Sequence, residues 1–178
     1  MRLAVLQRLR RFVRAREGAT AVEFAMVAAP FLFMLFAVVE LGLVFMVLVT
    51  LDNATTQSAR RIRTGELQNA GGASAASFKT DICNRMDWIR SNCLANLNVD
   101  VRTYAQFTNA NEVSPISNGA FNAGVLTFNP GTASSIVVVR SYYKWKLFTP
   151  FLDQAMSKLS GGQAVLTATA AFRNEPYS

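Results

Sequence analysis

One stretch dominates the hydrophobic pattern. From Phe24 to Val49 the chain is almost continuously apolar, broken by Glu40 and punctuated by Pro30 and Gly42. No lysine or arginine occurs between Arg16 and Arg60. As a helix these 26 residues run about 39 Å, enough to cross a hydrocarbon core of about 30 Å with some tilt. A buried core helix is the alternative, but such a run exceeds what a 178-residue globule usually hides. A secretory signal peptide carries a shorter apolar region, about 7–15 residues, ending at a small-x-small cut. Here the run is followed by Thr50-Leu51-Asp52-Asn53 with no such site, so the segment reads as retained. Pro30 removes one backbone donor and predicts a bend.

Beyond the run, Asn53 to Thr64 continues the helix towards a Gly65 C-cap, with Arg60, Arg61 and Arg63 complementing the negative helix end. From Ala19 to Thr64 such a helix measures about 69 Å if unbroken. Residues 69–77 read as a linker. A short helix follows, with Phe78, Ile82, Met86 and Ile89 along one side and Ser77 as its cap. Period-two alternation then predicts three strands. In the first, Leu97, Val99, Val101, Ala105 and Phe107 oppose Asn98, Asp100, Arg102 and Gln106. The second, Ile136 to Phe148, is apolar on both faces in its first half, with Arg140, Lys144 and Lys146 on one face. The third sets Leu166, Ala168, Ala170 and Phe172 against Thr167, Thr169 and Arg173. Between the last two, Thr149 caps a helix with Pro150 at its first position, ending at Gly161-Gly162. Residues 108–135 read as loop with a short strand at Val125–Phe128, and Tyr142, Tyr143 and Trp145 read as sheet packing. The class is α+β: a long N-terminal membrane-spanning helix, then a small extracytoplasmic domain of about three to four antiparallel strands and two short helices.

Charge refines this picture. Six arginines and one glutamate in residues 1–17 give the leader a net +5, and residues 18–178 carry only +2. The body is therefore too close to neutral for a nucleic-acid-binding surface. Six arginines precede the apolar segment and three follow it closely, which orients the N-terminus to the cytoplasm. Cys83 and Cys93 then lie beyond the membrane, where an oxidising compartment permits a disulfide. On one straight helix the two would stand about 15 Å apart, too far to bond. Pairing them requires the helix to end near Arg90 and turn at Ser91-Asn92, and would stabilise the domain by about 2–3 kcal/mol. Two unpaired buried thiols are the alternative.

The chain has no histidine, only two cysteines, and no glycine-rich phosphate loop. Triads, dyads, histidine bases and the common zinc sites are thereby removed. The chain reads as a non-enzyme, with neither cofactor nor metal implied.

Just before the apolar run stands Gly18-Ala19-Thr20-Ala21-Val22-Glu23-Phe24, closing the arginine-rich leader. Glycine leaves an extended backbone unobstructed by a side chain, and the arginines hold this segment near the cytoplasmic membrane surface. Glu23 lies at the start of the membrane helix, where an unpaired carboxylate is costly. It either rests in the headgroup layer or pairs with the free amine that cutting would create on a neighbouring Ala19. Glu40 lies about 26 Å farther along a continuous helix and either meets a partner helix or snorkels outward. Ala25, Ala28, Ala29 and Gly42 are small enough for close helix packing.

The Gly18-to-Phe24 segment resembles the processing site of type IV pilin-like proteins, with the Glu-Phe pair of the Flp/Tad (tight adherence) branch. The Ala59-Arg60-Arg61-Ile62-Arg63-Thr64-Gly65 string and the C-terminal Asn174-Glu175-Pro176-Tyr177 are similar to those of TadE-like proteins. Residues 66–135 match no family by inspection. The resemblance implies a minor pilin or pseudopilin cut after Gly18 by a prepilin peptidase, so that residues 1–18 are a removed leader. Residues 19–65 are then a long helix, with its transmembrane segment at about 24–49, and residues 66–178 the exterior domain. Its implied partners are other pilin subunits, the Tad-type assembly machinery, the peptidase and membrane lipid, with Glu23, Ala25, Ala28 and Glu40 at the subunit packing. The implied location is the bacterial inner membrane, single-pass, with passage into a pilus. A membrane-anchored adhesion or binding module never built into a filament is the alternative.

Overall fold

The computed structural model describes residues 17–71, 73–111 and 113–177. The leader before residue 17 lies outside the described residues. The chain divides into two compact units, Met1–Val39 and Glu40–Ser178.

Helix α1 covers Glu17–Arg63 and contains Pro30 without ending there. Four residues, Glu66–Asn69, form α2 after Gly65, whose φ of 76° is left-handed. Helix α3 is Ala75–Arg85, with Phe78 and Ile82 buried along one side as expected. Its cap differs from expectation. Ser74, in an extended conformation, accepts from the Ser77 amide, while the Ser77 hydroxyl reaches back to the Ser74 amide. Ser77 is thus the third residue of a capping box, not the cap itself.

The chain turns earlier than Ser91-Asn92. Met86 ends α3, a 3-10 turn covers Asp87–Ile89, and Ser91 and Asn92 lie inside a second helix, α4, Arg90–Asn96. Burying Met86 and Ile89 against the core sets the reversal there. The two helices bring Cys83 and Cys93 to a Cα–Cα distance of 5.5 Å, and the pair is a disulfide.

Strand β1, Leu97–Tyr104, follows directly. Two-residue strands β2, Ile116–Ser117, and β3, Ala120–Phe121, form a small hairpin. The long strands β4, Ile136–Lys146, and β5, Gln163–Arg173, complete a three-stranded antiparallel sheet of order β1-β4-β5. Register is set by pairs such as Val101 with Val139 and Val139 with Ala170.

The central position of β4 explains its apolarity on both faces. On one side Val137, Val139 and Tyr143 join Leu97, Val101, Leu166, Phe78 and Ile82 in the main core. On the other, Tyr142 packs with Leu159 and Val165 under Ile116, Phe121 and Leu126. Ile116, Phe121 and Leu126 therefore roof the second face, while Phe128 packs against the main core beside Phe78. The strand expected at Val125–Phe128 is instead a 3-10 turn, Ala123–Val125, followed by a single bridge from Phe128 to Val101. Asp100 makes that arrangement: buried under the roof, its carboxylate accepts from the Thr127 amide at 2.8 Å and pairs with Arg102 at 2.9 Å. Helix α5, Pro150–Met156, stops short of Gly161-Gly162. Thr149 is its N-cap residue, but the Thr149 side chain makes no capping bond.

Candidate functional site

Gly18 to Val39 is one apolar surface. Every residue there is exposed except Ala28 and Ala37, which are half-buried. Gly18, Ala19, Glu23, Phe24 and Ala25 are all open. Phe24, Met26, Phe33 and Phe36 are among the large side chains left uncovered. The 22 residues correspond to about 33 Å of helix, close to a hydrocarbon core. Among the described residues, no hydrogen bond or ion pair engages the Glu23 carboxylate, which is exposed. Helix α1 is long and apolar enough to cross a membrane, its most apolar 18-residue window having a mean hydropathy of 2.8, and it fits a single-pass membrane protein.

From Glu40 onward the same helix is used differently. Val44, Val47, Leu51, Ala54, Thr55, Ser58, Ala59 and Ile62 are buried. Their spacing of three and four residues makes one stripe, which fills the main core beside the sheet. Asp52, Asn53, Thr56, Gln57 and Arg60 occupy the exposed face.

Glu40 heads that stripe and is 4% exposed. Within this chain its carboxylate accepts the backbone N–H of Phe148, and that of Thr149 at 2.8 Å, tying α1 to the start of α5. No motif or spacing signals this contact, because the two donors are backbone groups more than a hundred residues away. A carboxylate bonded to two amides is far less costly to bury than a free one.

The far end of α1 forms a second junction. Arg61 reaches Asp81 on α3 at 3.0 Å, and Arg85 reaches the same carboxylate at 3.3 Å. Burial works against ionisation of Asp81, but the Ser58 hydroxyl, Arg85 and Arg61 together hold its carboxyl below the usual range. Arg63 pairs with Glu175 at 3.1 Å, and its carbonyl accepts the Glu175 amide at 2.8 Å. The Tyr177 ring lies against Gly65, where an added Cβ would stand 2.4 Å from a ring carbon. Gln68 and the buried Asn174 both donate to the Tyr177 hydroxyl, and Asn174 also binds the carbonyls of Pro130 and Thr132. Arg63-Thr64-Gly65 and Asn174-Glu175-Pro176-Tyr177 thus meet in space. Two sequence strings that stand 109 residues apart close the domain around the end of α1.

Residues 18–60 match the family described as TadE-like protein, consistent with a Flp/Tad pilus-associated protein. The matched segment begins at Gly18 and covers both the bare and the buried parts of α1. No curated protein and no solved structure matches the chain.

Proposed function

We propose, from the TadE-like character of residues 18–60, that this chain is a minor pilin or pseudopilin of a Flp/Tad-type pilus system. Its leader is removed after Gly18 by a prepilin peptidase. The helix beginning at Ala19 then packs among the helices of other pilin subunits, and residues 40–178 face the extracytoplasmic side.

The observation that carries this reading is the bare segment itself. Ala19–Val39 presents about 32 Å of uncovered apolar helix directly after the leader. Helices in lipid associate by close packing and scarce polar contacts, and Ala25, Ala28 and Ala29 supply the small surfaces. Glu23 is the polar contact. Its carboxylate is exposed, and cleavage would create a protonated α-amine on Ala19 of a neighbouring subunit. Such a pair selects one stagger between helices whose apolar surfaces discriminate registers poorly. The disulfide suits an oxidising exterior, in agreement with a cytoplasmic arginine-rich leader.

The test is a pair of variants in cells that express the cognate peptidase and pilins. Replacing Gly18 with valine obstructs the cleft and leaves the full-length mass. Glu23→Ala is cut normally and inserted, yet loses co-purification with other pilin subunits. Uncut wild-type protein with no pilin partners would favour the anchored module.

A further inference from the structure

Phe148 is 72% exposed, the most exposed large apolar side chain beyond the apolar run among the described residues. Its amide is bonded to Glu40, the residue that follows the bare segment directly in the chain. The backbone around it is closed in an unusual way for a surface loop. The Leu147 amide donates to the Gly162 carbonyl at 3.2 Å. The Phe148 and Thr149 amides donate to Glu40, and Pro150 has no N–H. Four consecutive positions therefore present no free donor.

Water would satisfy such amides on an ordinary surface, whereas irregular backbone near lipid must be satisfied by protein. If Gly18–Val39 spans the hydrocarbon core, Glu40 stands at its exterior edge, and so does the amide bonded to it. Lys146, exposed and two residues before Phe148, suits the phosphate layer at that depth. On the helix itself Phe45, Met46 and Val49 remain exposed for about a further 14 Å past Glu40, continuing an apolar surface into the interfacial zone.

We infer that the 147–150 loop is a membrane-interface anchor, with Phe148 seated at the boundary between headgroups and acyl chains and Glu40 fixing its depth. The partner is the bilayer itself. The inference rests on the spanning of residues 18–39 and not on cleavage or pilus assembly.

Phe148→Trp tests it in the full chain reconstituted in vesicles of phosphatidylcholine and phosphatidylglycerol. Bromine is placed on the acyl chains at shallow or deep positions. Wild type, with Trp88 and Trp145, supplies the background, and Phe36→Trp reports the spanning segment. The added emission of Phe148→Trp is expected to shift to the blue and to lose most of its intensity to shallow bromines. Phe36→Trp should lose most to deep ones. Water-like, unquenched emission from Phe148→Trp beside a quenched Phe36→Trp overturns the anchor. So does quenching strongest at the deep positions. Emission that turns blue only when another pilin subunit is added would assign Phe148 to a subunit contact instead. An unquenched Phe36→Trp removes the spanning segment and the anchor together.

Discussion

The two halves of α1 are nearly indistinguishable by hydropathy around Glu40 and entirely different in use. Val38 and Val39 are 64% and 55% exposed, while Val44 and Val47 are 5% and 0% exposed. The same side chain is left bare in one half and serves as domain core in the other. The two glutamates repeat the contrast. Glu23 stands open, and Glu40 is sealed by two backbone amides. An apolar helix is thus assigned by what covers it, not by its own composition.

The comparison breaks most sharply under truncation. Leu51→Ala removes a fully buried side chain from the main core and should cost about 2–5 kcal/mol of domain stability. Met34→Ala, 70% exposed, should leave the domain's urea midpoint in detergent unchanged. Equal losses would mean the two halves are not separate in function.

The carboxylates sharpen it next. Glu40→Ala leaves the Phe148 and Thr149 amides without their acceptor and should destabilise the domain by about 2–4 kcal/mol. Glu23→Ala should not shift the midpoint at all, its effect falling on subunit association. Reduction of Cys83–Cys93 should cost about 2–3 kcal/mol, read as a lower midpoint with dithiothreitol.

Gly65→Ala tests the junction at the far end of α1. A left-handed φ and a Cβ against the Tyr177 ring should together cost about 1–3 kcal/mol, and Tyr177→Ala should relieve part of the Gly65→Ala penalty.

The smallest effect is expected from pH. Asp81 has a depressed folded pKa, so its contribution is present above the ordinary aspartate value and is lost as pH falls through the folded value. The stability gap between wild type and Asp81→Asn should therefore narrow as pH falls below the ordinary aspartate value of about 4. A gap that widens on acidification would remove Arg61 and Arg85 as the cause.

Much of the domain was legible because local rules govern it. The strands alternate, β4 advertises its central place by being apolar on both faces, and Pro150 marks the start of α5. The small turns were misplaced where competition between neighbouring residues decides, as with Ser74 over Ser77 for the cap of α3. The stripe through Leu51, Ala54, Ser58 and Ile62 could have been read, since Asp52, Asn53, Thr56 and Gln57 mark the opposite face. Between Phe24 and Val49 no polar residue except Glu40 breaks the pattern, and the periodicity is silent. The Glu40 clamp and the meeting of Gly65 with Tyr177 depend on long-range topology, which no spacing encodes.

N-terminal sequencing of the native protein from cells with the cognate peptidase tests the central claim most directly. The account predicts a first residue of Ala19, with Glu23 at the fifth position of the mature chain. A sequence beginning at Met1, or at a residue beyond Val49, would contradict it.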